Sequence, residues 1–252
     1  MIARRLMPIV FYLLCLFPAL LWADGLDRNF ELGNKFYIEG DYTKAVGEYE
    51  NILKAGYHSA ELYYNLGNAC FREGQLGLAV ANYIRAKRLT PRDEDIRVNL
   101  EFARRFTIDK IEVTEETILL DYINRFFDSF SLNEITTLAI ILYILTAAVI
   151  LVRFIYRRMY VYTPVVVILL ALFFFSAIFT AVKLERDVLT RTGVVLDRQA
   201  EVKNGPGDDF SNQFTAHAGL MFKIEREESG YFLVNFENRL KGWILKKAIA
   251  QI

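Results

Sequence analysis

Few residues of this 252-residue chain have the types and spacings that covalent or metal chemistry requires. The chain contains two histidines, His58 and His217, and two cysteines, Cys15 and Cys70. These residues are spread along the chain and leave no ligand cluster for zinc. The sequence also lacks a G-x-S-x-G nucleophile elbow and a phosphate-binding loop. We therefore predict a protein that is not an enzyme and that uses no metal or cofactor.

The two cysteines do not form an obvious disulfide pair. Cys15 lies in an N-terminal apolar segment that would be removed as a signal, which leaves Cys70 without a partner. Core packing is the preferred interpretation of Cys70, and redox sensing is the alternative. An antioxidant enzyme that uses this thiol is a further hypothesis, which loss of peroxide consumption in Cys70→Ser would support.

Composition points to a membrane protein. Hydrophobic residues make up 54% of the chain, which is high for a protein that is stable in water alone. Thirty basic residues balance 30 acidic ones, and no basic stripe is present. Nucleic acid is therefore not an expected partner.

The N-terminus carries the features of a secretory signal. Arg4 and Arg5 precede the uncharged stretch 6–23, which ends in LLWADG. We predict that residues 1–23 are a signal peptide cleaved after Ala23. Because Leu21 stands where a small residue is preferred, an uncleaved membrane anchor is the alternative.

Two more uncharged stretches are long enough to cross a hydrocarbon core of about 30 Å as helices. We predict transmembrane helices over 132–156 and 159–182. Ser131 precedes Glu134 by three residues, which is the spacing of a capping box at the start of the first span. A buried helical hairpin inside a water-soluble domain is the alternative.

The loop between the spans sets the predicted topology. Arg157 and Arg158 form a two-residue loop at 157–158, Arg153 precedes them, and no acidic residue lies between the spans. The positive-inside rule then makes this loop cytoplasmic. Both flanking regions are expected on the opposite side of the membrane, outside the cytoplasm.

The region from 24 to 106 repeats itself with a period of 34. Each copy, 26–59 and 60–93, predicts two helices that pack closely at glycine and alanine positions. Gly40 and Gly74 are expected to end the first helix of each pair with a positive φ. The matched residues are Leu32, Gly33, Phe36, Gly40, Ala45 and Tyr49, which recur as Leu66, Gly67, Cys70, Gly74, Ala79 and Tyr83.

This pattern is similar to the tetratricopeptide repeat, and residues 93–106 are expected to add a capping helix. The resemblance implies an all-α tetratricopeptide repeat solenoid whose first helices line a groove that binds proteins. The Asn residues of the NLGNA stretch also fit the structural pattern of the repeat, which is the alternative interpretation. The groove residues implied are Asn34, Tyr37, Tyr64, Asn68, Phe71 and Phe102.

Residues 107–131 predict an amphipathic linker helix before the first span. Its apolar side chains fall on one helical stripe. The helix could lie in the membrane interface or pack beneath the repeats, and the sequence does not decide between the two. The stripe consists of Leu119, Tyr122, Ile123, Phe126, Phe127 and Phe130.

Past the second span, residues 183–252 show the alternation of β-strands. Four or five strands in so short a segment predict a small all-β barrel. The VKNGPG, HAG and GWI motifs resemble those of the bacterial SH3-like domain. Tyr231 and Trp243 could stack on a peptide or a glycan, and the alternative is that they cover the core of the barrel.

The complete order of segments resembles the Bacteroides aerotolerance operon family of Gram-negative bacteria. It implies a multidomain membrane protein that works beside membrane proteins with von Willebrand A domains and a MoxR-type ATPase. We expect a non-enzymatic periplasmic scaffold in an assembly linked to aerotolerance or envelope stress. The alternative function is sensing or positioning of peptidoglycan through the SH3-like domain.

Overall fold

The computed structural model describes residues 28–109, 126–155, 163–236 and 240–252. The predicted signal peptide, most of the linker helix and the predicted loop at 157–158 lie outside these residues. The described residues contain eight helical segments. They are α1 at 28–39, α2 at Tyr42–Lys54, α3 at Ala60–Arg72, α4 at Leu76–Leu89, α5 at Glu94–Arg105, the short turn α6 at 126–128, α7 at Leu132–Ile155 and α8 at Thr163–Leu184.

Local sequence explains where helices α2, α3 and α5 begin and where α1 and α3 end. The N-cap side chains Asp41, Ser59 and Asp93 each accept a hydrogen bond from the backbone N–H three residues further on. Gly40 and Gly74 have φ values of +81° and +84°, a conformation that a residue without Cβ adopts freely. The predicted helix-ending role of both glycines is confirmed.

The hairpins α1–α2 and α3–α4 pack by the same rule. A methyl group added at Gly33 would lie 2.5 Å from Cε1 of Tyr49, and one added at Gly67 would lie 2.8 Å from the ring of Tyr83. Each tyrosine therefore fills the space that the missing glycine side chain leaves. The predicted close approach at both glycines is confirmed.

Helices α1 to α5, residues 28–109, form one unit, called here the hairpin domain. Hydrogen bonds between side chains join α1 to α3 and α3 to α5, so these helices form one layer. Helices α2 and α4 form the other layer. The buried core between the layers includes Ala45, Tyr49, Leu66, Ala69, Ala79, Val80, Tyr83 and Leu100.

Helices α7 and α8 are each long and apolar enough to cross a membrane. The candidate spans Leu132–Val152 and Thr163–Leu189 each contain an 18-residue stretch with a mean hydropathy of 2.7 and 2.9, respectively, and only 11% of each stretch is buried by the protein. A core helix would be covered by its neighbours, and these two are not. Ser131 and Glu134 exchange hydrogen bonds of 2.9 and 3.2 Å, which confirms the predicted capping box.

The C-terminal region forms one antiparallel sheet in the order β3-β2-β6-β5-β4-β1-β7. Seven strands replace the four or five that we predicted, because β7 is short and β2 and β3 carry few large apolar side chains. The strands are β1 Thr192–Val195, β2 Gln199–Lys203, β3 Asn212–His217, β4 Met221–Glu228, β5 Tyr231–Phe236, β6 Lys241–Leu245 and β7 Ile249–Gln251.

All seven strands contribute side chains to one core. Ala216 of β3 and Ile249 of β7, the two outer strands of the order, both belong to it. The sheet therefore curls around its core. Register shifts between Val202 and Lys203 and between Ile224 and Arg226 help it to bend. Residues 191–252 are called the sheet domain below.

The sheet domain packs directly on α4 of the hairpin domain. A methyl group added at Gly77 would lie 2.4 Å from the carbonyl oxygen of Val195 and 2.7 Å from Cα of Leu196. Glycine is therefore required where the helix meets the end of β1. Apolar side chains of the sheet domain join the hairpin-domain core, namely Val194, Met221, Ala250 and Ile252.

The hairpin domain also contacts one end of α7 and the turn that follows α8. Arg92, which follows α4, pairs with Glu134 in the first turn of α7. Beyond α8, a short π-helical turn spans Glu185–Leu189, and Arg88 of α4 donates to the carbonyl oxygen of Asp187 in that turn at 3.3 Å. The start of α7 and the turn after α8 are therefore both held by the hairpin domain.

Candidate functional site

The candidate site is the outer surface of α1, α3 and α5, called here the odd-helix face. All six predicted groove residues lie on these three helices, and every one of them is at least partly exposed. The opposite layer is not equally free, because α4 is covered by the sheet domain. The odd-helix face is thus the surface of the hairpin domain on which exposed aromatic and amide groups combine.

Two buried tyrosines orient the amides at the base of this face. The hydroxyl of Tyr49 donates to Oδ1 of Asn34 at 2.7 Å, and the hydroxyl of Tyr83 donates to Oδ1 of Asn68 at 2.7 Å. Burial raises the pKa of Tyr49 to about 12 and raises that of Tyr83 as well. Both hydroxyls therefore stay protonated at neutral pH and act as donors.

Two further asparagines extend this pattern. Nδ2 of Asn65 donates to Oδ1 of Asn34 at 3.2 Å, and Nδ2 of Asn99 donates to Oδ1 of Asn68 at 3.3 Å and to the hydroxyl of Tyr64 at 2.7 Å. Sequence reasoning did not assign Asn65 and Asn99 to the site. Asn99 follows Asn65 by one full repeat period, so the sequence did carry a signal for them.

An aromatic cluster lies beside the amides on α3 and α5. The ring centroids of Phe71, Phe102 and Phe106 are 5.1 to 5.5 Å apart. Phe102 is 47% exposed and Phe106 is still more exposed. The predicted pair Phe71 and Phe102 is thus in contact, and Phe106 is a member that sequence reasoning missed.

Tyr37 lies apart from this cluster. Its ring contacts the ring of Tyr42 with centroids 5.4 Å apart, and Nε of Arg72 donates to the hydroxyl of Tyr42 at 3.1 Å. Burial raises the pKa of Tyr37. The odd-helix face therefore offers two aromatic areas, one at Tyr37 and one at Phe102.

The two residues proposed for the sheet domain are buried. Tyr231 and Trp243 are each 6% exposed. The hydroxyl of Tyr231 donates to Oδ1 of Asp208 at 2.6 Å, a bond that raises the pKa of the phenol and lowers that of the carboxyl. The guanidinium of Arg226 lies 5.1 Å from the Trp243 ring centroid. Little ring surface is left for a peptide or glycan.

The residues that could carry chemistry are separated and individually satisfied. Cys70 is buried, and burial raises the pKa of its thiol to about 12, so the nucleophilic thiolate is scarce at neutral pH. Nδ1 of His58 lies 2.7 Å from the hydroxyl of Tyr63, and Nδ1 of His217 lies 3.0 Å from Oδ1 of Asp109. Among the described residues no group of three or more potential metal ligands occurs.

Comparison with known proteins adds no assignment. No protein-family model matches the sequence, and a search of curated proteins finds no match.

Proposed function

We propose that this chain is a membrane-anchored scaffold that binds partner proteins on the odd-helix face. The observation that carries the proposal is the contrast between the two layers of the hairpin domain. One layer is covered on α4 by the sheet domain, and the other keeps exposed aromatic rings beside oriented amides. Aromatic side chains of this kind supply large contact areas in protein interfaces, and amides add directional hydrogen bonds.

The proposed architecture is that of a tetratricopeptide repeat solenoid joined through two transmembrane helices to an SH3-like barrel. The internal repeat of the sequence, the matched glycine and tyrosine contacts and the curled seven-stranded sheet support it. In this interpretation the odd-helix face is the groove of the solenoid. Only two repeats and a cap are present, and docking on the sheet domain supplies burial that further repeats usually provide.

We further propose a bacterial inner-membrane location with both domains in the periplasm. Arg157 and Arg158 between the two apolar stretches support a cytoplasmic loop. A membrane anchor holds the odd-helix face at a fixed height and raises its effective concentration toward other membrane proteins.

The order of segments supports membership of the BatE type within the Bacteroides aerotolerance operon family. The proposed partners are then membrane proteins with von Willebrand A domains, together with a MoxR-type ATPase system. The assembly would serve aerotolerance or the response to envelope stress. Peptidoglycan recognition is the weaker candidate function, because Tyr231 and Trp243 are buried.

The test compares Phe102→Glu with Tyr57→Glu in the full-length chain. Phe102 belongs to the odd-helix face, whereas Tyr57 is similarly exposed, at 43%, but precedes α3 and lies off that face. Proteins that copurify from crosslinked native membranes are identified for each variant. We expect much less partner protein to copurify with Phe102→Glu than with wild type, and an unchanged amount to copurify with Tyr57→Glu.

Point variants are preferable to deleting the hairpin domain, because deletion would expose the apolar surface of the sheet domain around Val194. Equal recovery with wild type and Phe102→Glu, in variants with unchanged thermal stability, would contradict binding on this face. Recovery of proteins without von Willebrand A domains would contradict the proposed partner class but not the binding face.

A further inference from the structure

Helix α4 carries three half-buried cations that lack a carboxylate partner. Within the described part of the chain, no Asp or Glu oxygen lies within 4 Å of the charged groups of Arg85, Lys87 or Arg88. Arg88 donates only to uncharged oxygens, at 3.3 Å to the carbonyl of Asp187 and at 2.9 Å to Oγ1 of Thr192. Burial lowers the pKa of Lys87 and Arg88. These cations are therefore held without a direct ion pair to a described carboxylate, although acids lie nearby.

The equivalent helix of the first repeat does not share this feature. Asn51, Leu53 and Lys54 of α2 stand one repeat period before the three cations. Lys54 is mostly exposed and lies 3.5 Å from Glu50 of its own helix. The first repeat has a cation at the position of Arg88 but none at the positions of Arg85 and Lys87, so the repeat pattern does not account for those two.

The nearby acids already have cationic partners. Asp128 pairs with Arg186 at 2.8 Å, and Asp187 pairs with Lys183 at 2.9 Å. The charge of Arg104 lowers the pKa of Lys87 and that of Glu101 raises it, so these two residues oppose each other. The charged residues around Lys87 and Arg88, called here the cluster, carry two more positive than negative charges. The positive residues are Lys87, Arg88, Lys183 and Arg186, and the negative ones are Asp128 and Asp187.

The cluster lies where the apolar surface of the membrane helices ends. The second candidate membrane span ends at Leu189, two residues beyond Asp187. Leu184, Val188 and Leu189 are exposed at this end, and so is Phe126 before α7. Cations above an exposed apolar rim match the headgroup and acyl regions of a phospholipid.

We propose that Lys87 and Arg88 bind the phosphate of an anionic phospholipid at the membrane surface. The acyl chains lie against the exposed side chains of Leu184, Val188 and Leu189. The site rests on the proposed membrane insertion of α7 and α8. Phosphate oxygens neutralise the excess positive charge. They also accept hydrogen bonds from the N–H groups of Lys87 and Arg88 that bond to no other described residue.

The test uses the full-length chain in a neutral detergent, with thermal unfolding followed during titration. The additions are phosphatidylglycerol, phosphatidylcholine or inorganic phosphate at matched concentrations. We expect phosphatidylglycerol alone to raise the Tm in a saturable way, because a ligand that binds the folded state stabilises it. An equal rise in Tm with phosphatidylcholine would contradict recognition of the negative charge. An equal rise with inorganic phosphate would contradict a lipid as the source of the bound phosphate.

Variants then locate the site. Lys87→Gln is expected to weaken the apparent affinity for phosphatidylglycerol about tenfold, because a charge-assisted contact is lost. Lys87→Arg should retain the response, and Lys54→Gln, at an exposed cation in the first repeat, should leave it unchanged. An unchanged titration with Lys87→Gln would overturn the site.

Alkaline carbonate extraction of native membranes tests the underlying insertion separately. A chain that stays in the membrane but shows no lipid response contradicts only the lipid site. A chain that carbonate releases contradicts the membrane anchor itself.

Discussion

The two helical hairpins of this protein are alike on their inner surfaces and different on their outer ones. Inside, Gly33 faces Tyr49 and Gly67 faces Tyr83, and each tyrosine bonds an asparagine at 2.7 Å. Positions one repeat period apart thus perform the same packing task. Contacts inside a repeat recur because each hairpin must bury the same kind of surface.

Within the described residues, the outer surfaces differ because the sheet domain docks on the second hairpin and not on the first. Thr43 of α2 is exposed and donates a hydrogen bond to Glu73. Its equivalent in α4 is Gly77, where an added methyl group would meet the backbone of β1. The repeat pattern therefore governs how a hairpin packs internally, whereas the outer face of each hairpin is shaped by what docks on it.

This contrast also explains how so short an array can be stable. Two repeats leave the outer face of the last hairpin without a further repeat to cover it. The sheet domain takes that place, and Val194, Met221 and Ala250 join the hairpin-domain core. Besides the capping helix α5, which packs on α4, a closing layer therefore comes from a different fold, which lies beyond the apolar helices α7 and α8 in the sequence.

The largest expected effect comes from Gly77→Val, compared with Thr43→Val at the equivalent position. At Gly77 the new side chain meets backbone atoms of Val195 and Leu196, which cannot rotate away. We expect a loss of about 3 kcal/mol in the free energy of unfolding, measured by urea denaturation of the full-length chain in detergent. Limited proteolysis should also cut faster around the domain contact.

Thr43→Val provides the matched control, because it places the same side chain on an exposed surface. Its effect should stay within about 0.5 kcal/mol. Similar losses in the two variants would show that the docked and free hairpins do not differ as described.

Valine at Gly33 or Gly67 tests the likeness of the inner surfaces. In both cases the new side chain meets a buried tyrosine ring, which can shift slightly, so the cost should be smaller than at Gly77. We expect losses of about 2 kcal/mol in each variant. Gly47→Val is the control in α2, because an added Cβ there meets nothing within 4 Å. A large difference between Gly33→Val and Gly67→Val would contradict the shared packing rule.

Sequence reasoning anticipated the features that repeat or that depend on neighbouring residues. The internal repeat identified Gly33 and Gly67, the positive φ of Gly40 depended on its place after a helix, and Ser131 carried its own capping signal. Each of these features requires knowledge of only one hairpin or one helix end.

The docking of the two domains could not be predicted in the same way. Gly77 looks like an ordinary helix position in the sequence. The contact that requires glycine there lies far along the chain at Val195, beyond the apolar helices α7 and α8. The predicted set of site residues lacked Phe106 for a related reason. Phe106 lies after the last helix of the hairpin domain and outside the repeat pattern. Contacts between units of different fold leave no periodic trace.

The smallest expected effect comes from removing one hydroxyl in each repeat. Tyr49→Phe and Tyr83→Phe each delete a 2.7 Å hydrogen bond to an asparagine Oδ1. In both cases that oxygen still accepts a hydrogen bond from a second asparagine. We expect each variant to lose about 1 kcal/mol of unfolding free energy, with a difference between them below about 0.5 kcal/mol.

An alkaline titration sharpens this last comparison. The pKa of Tyr49 rises from its usual value near 10 to about 12 in the folded protein, because burial disfavours the phenolate. The contribution of this pKa shift to the free energy of unfolding is fully present below about pH 10. It is lost as the pH rises toward 12, because the Tyr49 phenol ionises at a lower pH in the unfolded chain than in the folded protein. Tyr49→Phe should therefore lose less stability than wild type between these values. Parallel curves for the two proteins would mean that the Tyr49 hydroxyl is not buried as described, and the likeness of the two inner surfaces would fail at that position.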